Sequence, residues 1–78
     1  LFDVTIFLRG MDSQGVLYAI ADVLHKLTQF QVKSITLSTT DGIFEGKLFI
    51  SVFDTADVQQ VCNALMSIEN ITEAVRVE

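Results

Sequence analysis

The residues best placed to bind something are consecutive: Met11, Asp12, Ser13, Gln14, Gly15, Val16 and Leu17. A carboxylate, a hydroxyl and a glycine ahead of an apolar run are what the start of a helix needs, since Asp12 or Ser13 can accept hydrogen bonds from its first unpaired N–H groups. Gly15 leaves room for a ligand or another backbone to approach those groups, whose dipole favours a carboxylate. Met11, Val16 and Leu17 add apolar contact for a short aliphatic side chain. The chemistry is recognition of a small zwitterion such as an amino acid. The plainer alternative is that Gly15 permits close helix-to-sheet packing and Asp12 is a simple cap. Catalysis has no comparable cluster. His25 falls on a polar helical stripe with Tyr18, Asp22 and Gln29, and Cys62 on an apolar one, so the first reads as surface and the second as core. No nucleophile, base and orienting group come together. The sequence therefore predicts no catalytic residue, no metal site and no cofactor.

The elements that hold this loop follow from hydrophobic period. Phe2, Val4, Ile6 and Leu8 alternate with Asp3, Thr5, Phe7 and Arg9, a half-buried strand. Leu17, Ile20, Ala21, Leu24 and Leu27 step by three and four, predicting a helix to about Thr28. The segment 31–40 is rich in Val, Ile, Thr and Ser. Asp41-Gly42, the dipeptide of two-residue hairpins, turns it into a return strand over 43–53. That loop sets Ile35 opposite Leu48, Leu37 opposite Gly46 and Thr39 opposite Phe44. Ser34, Thr36 and Ser38 then meet Phe49, Lys47 and Glu45 on the other face. Asp54 or Thr55 starts a second helix with Val58, Val61, Cys62, Leu65 and Ile68 inward, Asn70 reads as a left-handed C-terminal residue, and 71–77 alternate as a last strand.

Strand, helix, strand, strand, helix, strand, with one apolar side each, is an α+β two-layer sandwich: the ferredoxin-like plait, four antiparallel strands under two helices. Right-handed crossovers place the first and third strands centrally. The 78 residues are 50% hydrophobic with mean hydropathy +0.47 and 19% charged, which is one folded domain over residues 1–78, neither disordered nor membrane-spanning. Ten Asp and Glu against five Lys and Arg give a net charge of −5, unfavourable for a partner held by phosphates. One cysteine forms no internal disulfide and fits a reducing, cytoplasmic setting.

Within the plait, a copper-chaperone reading lacks the Cys-x-x-Cys it needs, and a phosphatase reading lacks a second basic group beside Arg9. An RNA-face reading has Phe7, Phe49 and Phe53 on the helix-free side, but Glu45 and Lys47 depart from the pattern that Gly46, Phe49 and Ile50 partly match. Asp-Ser-Gln-Gly-Val-Leu, Asp12 to Leu17, resembles the Asp-x-x-Gly-x-Leu signature of ACT domains. With the Asp-Gly-Ile-Phe-Glu-Gly run from Asp41 to Gly46 and the ending from Leu65 to Val77, nearly the whole chain resembles the C-terminal ACT domain of RelA/SpoT-type (p)ppGpp synthetase/hydrolases. Ser13 replaces a usual basic residue and Asn70 a usual glycine.

The resemblance implies a regulatory domain cut from the C-terminus of a longer enzyme, a GTP pyrophosphokinase or (p)ppGpp hydrolase of the stringent response. It would sense a branched-chain amino acid at residues 11–17, or relay ribosome contact, to the catalytic domains of its parent chain, and would form a homodimer. The strand 31–40 is an edge with Lys33 as its sole charge, open to pairing with a second copy. The expected contact residues there are Val32, Ser34, Thr36 and Ser38. Phe7, Phe49 and Phe53 form an alternative patch for face-to-face packing or RNA. A pure dimerisation module without ligand remains the alternative function.

Overall fold

The computed structural model describes residues 2–11, 15–26 and 30–77. The elements run β1 (Phe2–Met11), α1 (Val16–Lys26), β2 (Phe30–Thr40), β3 (Ile43–Val52), α2 (Ala56–Met66) and β4 (Ile71–Arg76). The four strands form one antiparallel sheet in the order β2-β3-β1-β4, so the expected plait and its two central strands are present.

The β2–β3 hairpin turns on Asp41 and Gly42 at φ 54° and 78°, the left-handed pair that a two-residue turn of this kind requires. Its pairing from Thr40–Ile43 back to Ser34–Phe49 follows the register that the turn dictates. There the pattern breaks. Lys33 has no partner on β3, and Val32 pairs with Ile50: a β-bulge. One extra residue restores to the helix side a segment that strict alternation would send to the other face.

The core lies between the sheet and the helices. Val4, Ile6 and Leu8 of β1, Phe44, Leu48, Ile50 and Val52 of β3 and Val58, Val61, Cys62 and Leu65 of α2 are buried, with Ile68 packed against them. The α2 stripe is the one its sequence spacing predicts. Its N-terminus resolves the choice between two caps: the Asp54 carboxylate accepts the Ala56 N–H at 2.9 Å, while Thr55 makes no side-chain cap bond.

Two local expectations are corrected. Asn70 is not left-handed, since Asp41 is the one described non-glycine residue with positive φ. The helix ends instead on Ser67 in right-handed conformation, whose N–H reaches the Asn63 and Ala64 carbonyls, while the Asn70 carbonyl accepts the Met11 N–H at 2.8 Å and ties β1 to the start of β4. And α1 is rotated from the expected stripe. Val16 and Ile20 are buried with Val23 and Leu24 against the core, whereas Leu17 is 50% exposed and Ala21 exposed. Six apolar residues among Val16, Leu17, Ile20, Ala21, Val23 and Leu24 cover more of the helix than one core face can take. Burial selects the flank that reaches the sheet and leaves the other outward.

Candidate functional site

The residues expected to bind a ligand separate by role. Asp12, Ser13 and Gln14 lie outside the described residues. Met11 closes β1 opposite Ile43 and is exposed, Val16 points into the core, and Leu17 turns outward. Gly15 has φ 89°, its carbonyl accepts the Ala19 N–H, and among the described residues nothing lies within 4 Å of where a Cβ would stand. Close packing against the described residues is therefore not what calls for glycine here. The backbone conformation favours it in its own right, because an L side chain at that φ is strained.

Leu17 opens onto the feature that sequence reasoning missed. The outward flank of α1 stands beside β2, leaving an apolar groove of about 310 Å³ lined by Leu17, Ile20, Ala21, Leu24, His25, Val32 and Ile35. Val32 and Ile35 share this wall although they are three residues apart in a strand, and the bulge at Lys33 is the reason. Val32, 47% exposed, is therefore not in the row of Ser34, Thr36 and Ser38 with which it was grouped. His25 is exposed as expected, but it sits at the mouth of this groove rather than on a purely polar stripe. The signal in the sequence was the surplus of apolar residues on α1.

The opposite, helix-free face of the sheet carries Ser34, Thr36 and Ser38 of β2 beside Phe49, Lys47 and Glu45 of β3, then Thr5, Phe7 and Arg9 of β1. Phe7 and Phe49, both half-buried, border a shallow depression of about 270 Å³ with Thr36, Ser38, Glu45, Gly46 and Lys47. Phe53 does not belong to it. β3 ends at Val52, and Phe53, 68% exposed, lies in the bend beyond. Charges on this face are paired at both ends. Arg9 bonds Glu45 at 3.0 Å and stands over the Phe7 ring, 5.4 Å from its centre. At the other end Asp3 accepts the Ser51 hydroxyl at 2.6 Å and the Lys33 ammonium at 3.0 Å, a reach across β3 that the bulge supplies. These partners, the Ser51 hydroxyl foremost and then Lys33, hold the Asp3 carboxyl below its usual range.

Between α2 and β4, Cys62 borders a third hollow with Thr55, Val58, Gln59, Ala74, Val75 and Arg76. Burial pushes its thiol up, away from the reactive thiolate. Among the described residues no three His, Cys, Asp or Glu side chains gather as metal ligands, and no helix is long and apolar enough to cross a membrane.

Among the described residues the arrangement is one of surfaces: an apolar groove, an uncovered strand edge and a polar-aromatic sheet face, none carrying paired groups for proton transfer. Comparison with solved structures gives the same architecture. The crystal structure of the ACT domain from the GTP pyrophosphokinase of Chlorobium tepidum matches with a TM-score of 0.87 and 26% identity, over 97% of both chains. The acetolactate synthase small subunit from Thermotoga maritima matches with a TM-score of 0.86 and 15% identity, over 100% of this chain and 48% of that one. An ACT domain protein from Streptococcus pneumoniae gives 0.71 and 17%, over 96% of this chain and 86% of that one. A search of curated protein sequences returns no significant match. The model of the ACT domain matches residues 1–76, so with the βαββαβ order and the loop signature already in hand, this chain belongs to the ACT domain family, a regulatory rather than a catalytic kind of domain.

Proposed function

We propose that this domain is the effector-sensing part of a cytoplasmic (p)ppGpp synthetase/hydrolase, taking a branched-chain amino acid at the start of α1 and passing its occupancy to distant catalytic domains through self-association along β2. The observation that carries the reading is the groove that begins at Leu17. It is apolar but for His25, is of a size for an aliphatic side chain, and opens beside the uncovered β2 edge. The N–H groups at the head of α1 suit the ligand's carboxylate. The parent activity rests on the likeness to the C. tepidum domain.

Calorimetry with isoleucine, leucine and valine tests the ligand. Binding in the millimolar range or tighter is expected, and Ala21→Phe, which fills the groove from an exposed position, should weaken it roughly tenfold or more while the circular dichroism spectrum is kept. If the parent sequence binds none of the three, or Ala21→Phe binds them equally, the reading fails. A second reading, contact with ribosomal RNA, draws on Phe7 and Phe49 beside Lys47 on the open face. The net charge of −5 weighs against it, and RNA binding that falls with salt and with Phe49→Ala would favour it.

A further inference from the structure

The uncovered edge of β2 is divided by its bulge, and the division specifies how two copies can join. Resting on the self-association reading above, we infer that a second copy pairs antiparallel with β2 in one register only, Leu37 facing the partner's Leu37, with the two-fold axis passing between them.

The hairpin fixes which backbone groups are available. Its two-residue turn closes on the hydrogen-bonded pair Thr40–Ile43, and such pairs recur at every second residue, at Ser38–Glu45, Thr36–Lys47 and Ser34–Phe49. The N–H and C=O of Ile35, Leu37 and Thr39 therefore point away from β3. The outward row has two ends. One is the Asp41-Gly42 turn. The other is Lys33, which has no partner on β3 and interrupts the alternation. Ser34 to Thr40 is thus the uninterrupted strand on offer, seven residues long.

Two such segments related by a two-fold axis can be superposed in several ways, but pairing all seven residues requires Leu37 at the axis. Sliding by one pair in either direction leaves five, because it sets residues against the bulge or the turn. In the full register Ile35 meets the partner's Thr39, Thr36 the partner's Ser38 and Ser34 the partner's Thr40. Hydroxyls face hydroxyls on the open side and Leu37 faces its own copy on the helix side, both favourable cross-strand pairs. Asp41 then falls at the register position of the partner's Lys33, whose ammonium is turned inward to its own Asp3 and leaves the ends of the seam open. The product is an eight-stranded sheet, twice the four of one protomer, with each α1–β2 groove flanking the seam.

Cysteine pairing reads the register directly. Thr36 and Ser38 are exposed, and across the seam they occupy a non-hydrogen-bonded pair with Cα atoms about 4.5 Å apart, inside disulfide range. A residue's own copy is two positions away, roughly 7–8 Å or more, beyond it. A mixture of Thr36→Cys and Ser38→Cys proteins, one of them tagged, oxidised with diamide, should give the mixed disulfide at least tenfold faster than either variant alone. The parent protein, whose Cys62 is buried, should give none. If either variant crosslinks to itself as fast as to the other, the register is a different one and the inference is overturned. If sedimentation shows dimers and no combination crosslinks, the edge is not the seam and the inference falls likewise. If every protein sediments as a monomer, the self-association reading itself has failed.

Discussion

Asp3 shows how a single side chain can brace three strands. It sits on β1, accepts a hydrogen bond from the Ser51 hydroxyl on β3 and forms an ion pair with Lys33 on β2, and both interactions are strongest with its ionised form. Its carboxyl is held below the ordinary value of 3.8, so its contribution is complete above that value and is lost as pH falls through the lower, folded-state one. Urea unfolding from pH 7 down to pH 2 should therefore show stability falling with acid more steeply in the parent than in Asp3→Asn, the two curves converging at the acid end. Equal slopes would mean that the carboxylate contributes nothing. The bonds lie at the surface, so salt should shrink the difference. Gly15 makes the contrasting case, a residue favoured by its own φ, with no described neighbour crowding it. Even an alanine there strains the turn at the head of α1, which is why the groove variant Ala21→Phe is the cleaner probe of ligand binding.

At the level of elements, the bulge in β2 decides more than its one residue suggests. Removing Lys33 would let the ladder run straight through with Val32 still opposite Ile50 and Phe30 still opposite Val52, so both would keep the helix side. Phe30 keeps its place against the core and only the exposed Lys33–Asp3 ion pair is lost, so the deletion should leave stability nearly unchanged in chemical denaturation. A loss as large as that of a core truncation would mean that the bulge's local twist, and not only the side each residue takes, holds Phe30 in place. This is also where sequence reading stops. The hairpin was legible because Asp41-Gly42 fixes the turn, and the turn fixes every pair back to Ser34. The inward stripe of α2 was legible because Val58, Val61, Cys62 and Leu65 leave one choice. A bulge has no such signature in a run of Val, Ser and Thr, so the side that Val32 takes could not be read from alternation alone. For α1 the apolar residues exceed one face, and which flank is buried depends on the sheet beneath. The groove arises from these two features together, and so it could not be read from either segment alone.

For the molecule as a whole, three surfaces compete to receive a partner: the β2 edge, the groove beside it and the open face with Phe7 and Phe49. One substitution separates the edge from the other two. Thr39 is exposed, lies in neither the groove nor the open-face depression, and directs its N–H away from β3. Proline there removes a donor that the protomer does not use internally, and proline is tolerated on an edge strand for that reason. Thr39→Pro should keep the parent's circular dichroism and lie within about 0.5–1 kcal/mol of its stability. In sedimentation velocity it should remain monomeric at concentrations where the parent pairs, since the strand can no longer complete a ladder with a second copy. Undiminished pairing by a folded Thr39→Pro would transfer the interface to the groove or the sheet face. In that case the effector groove and the association surface would be separate parts of the molecule, and a ligand at Leu17 would have no direct path to the assembly state.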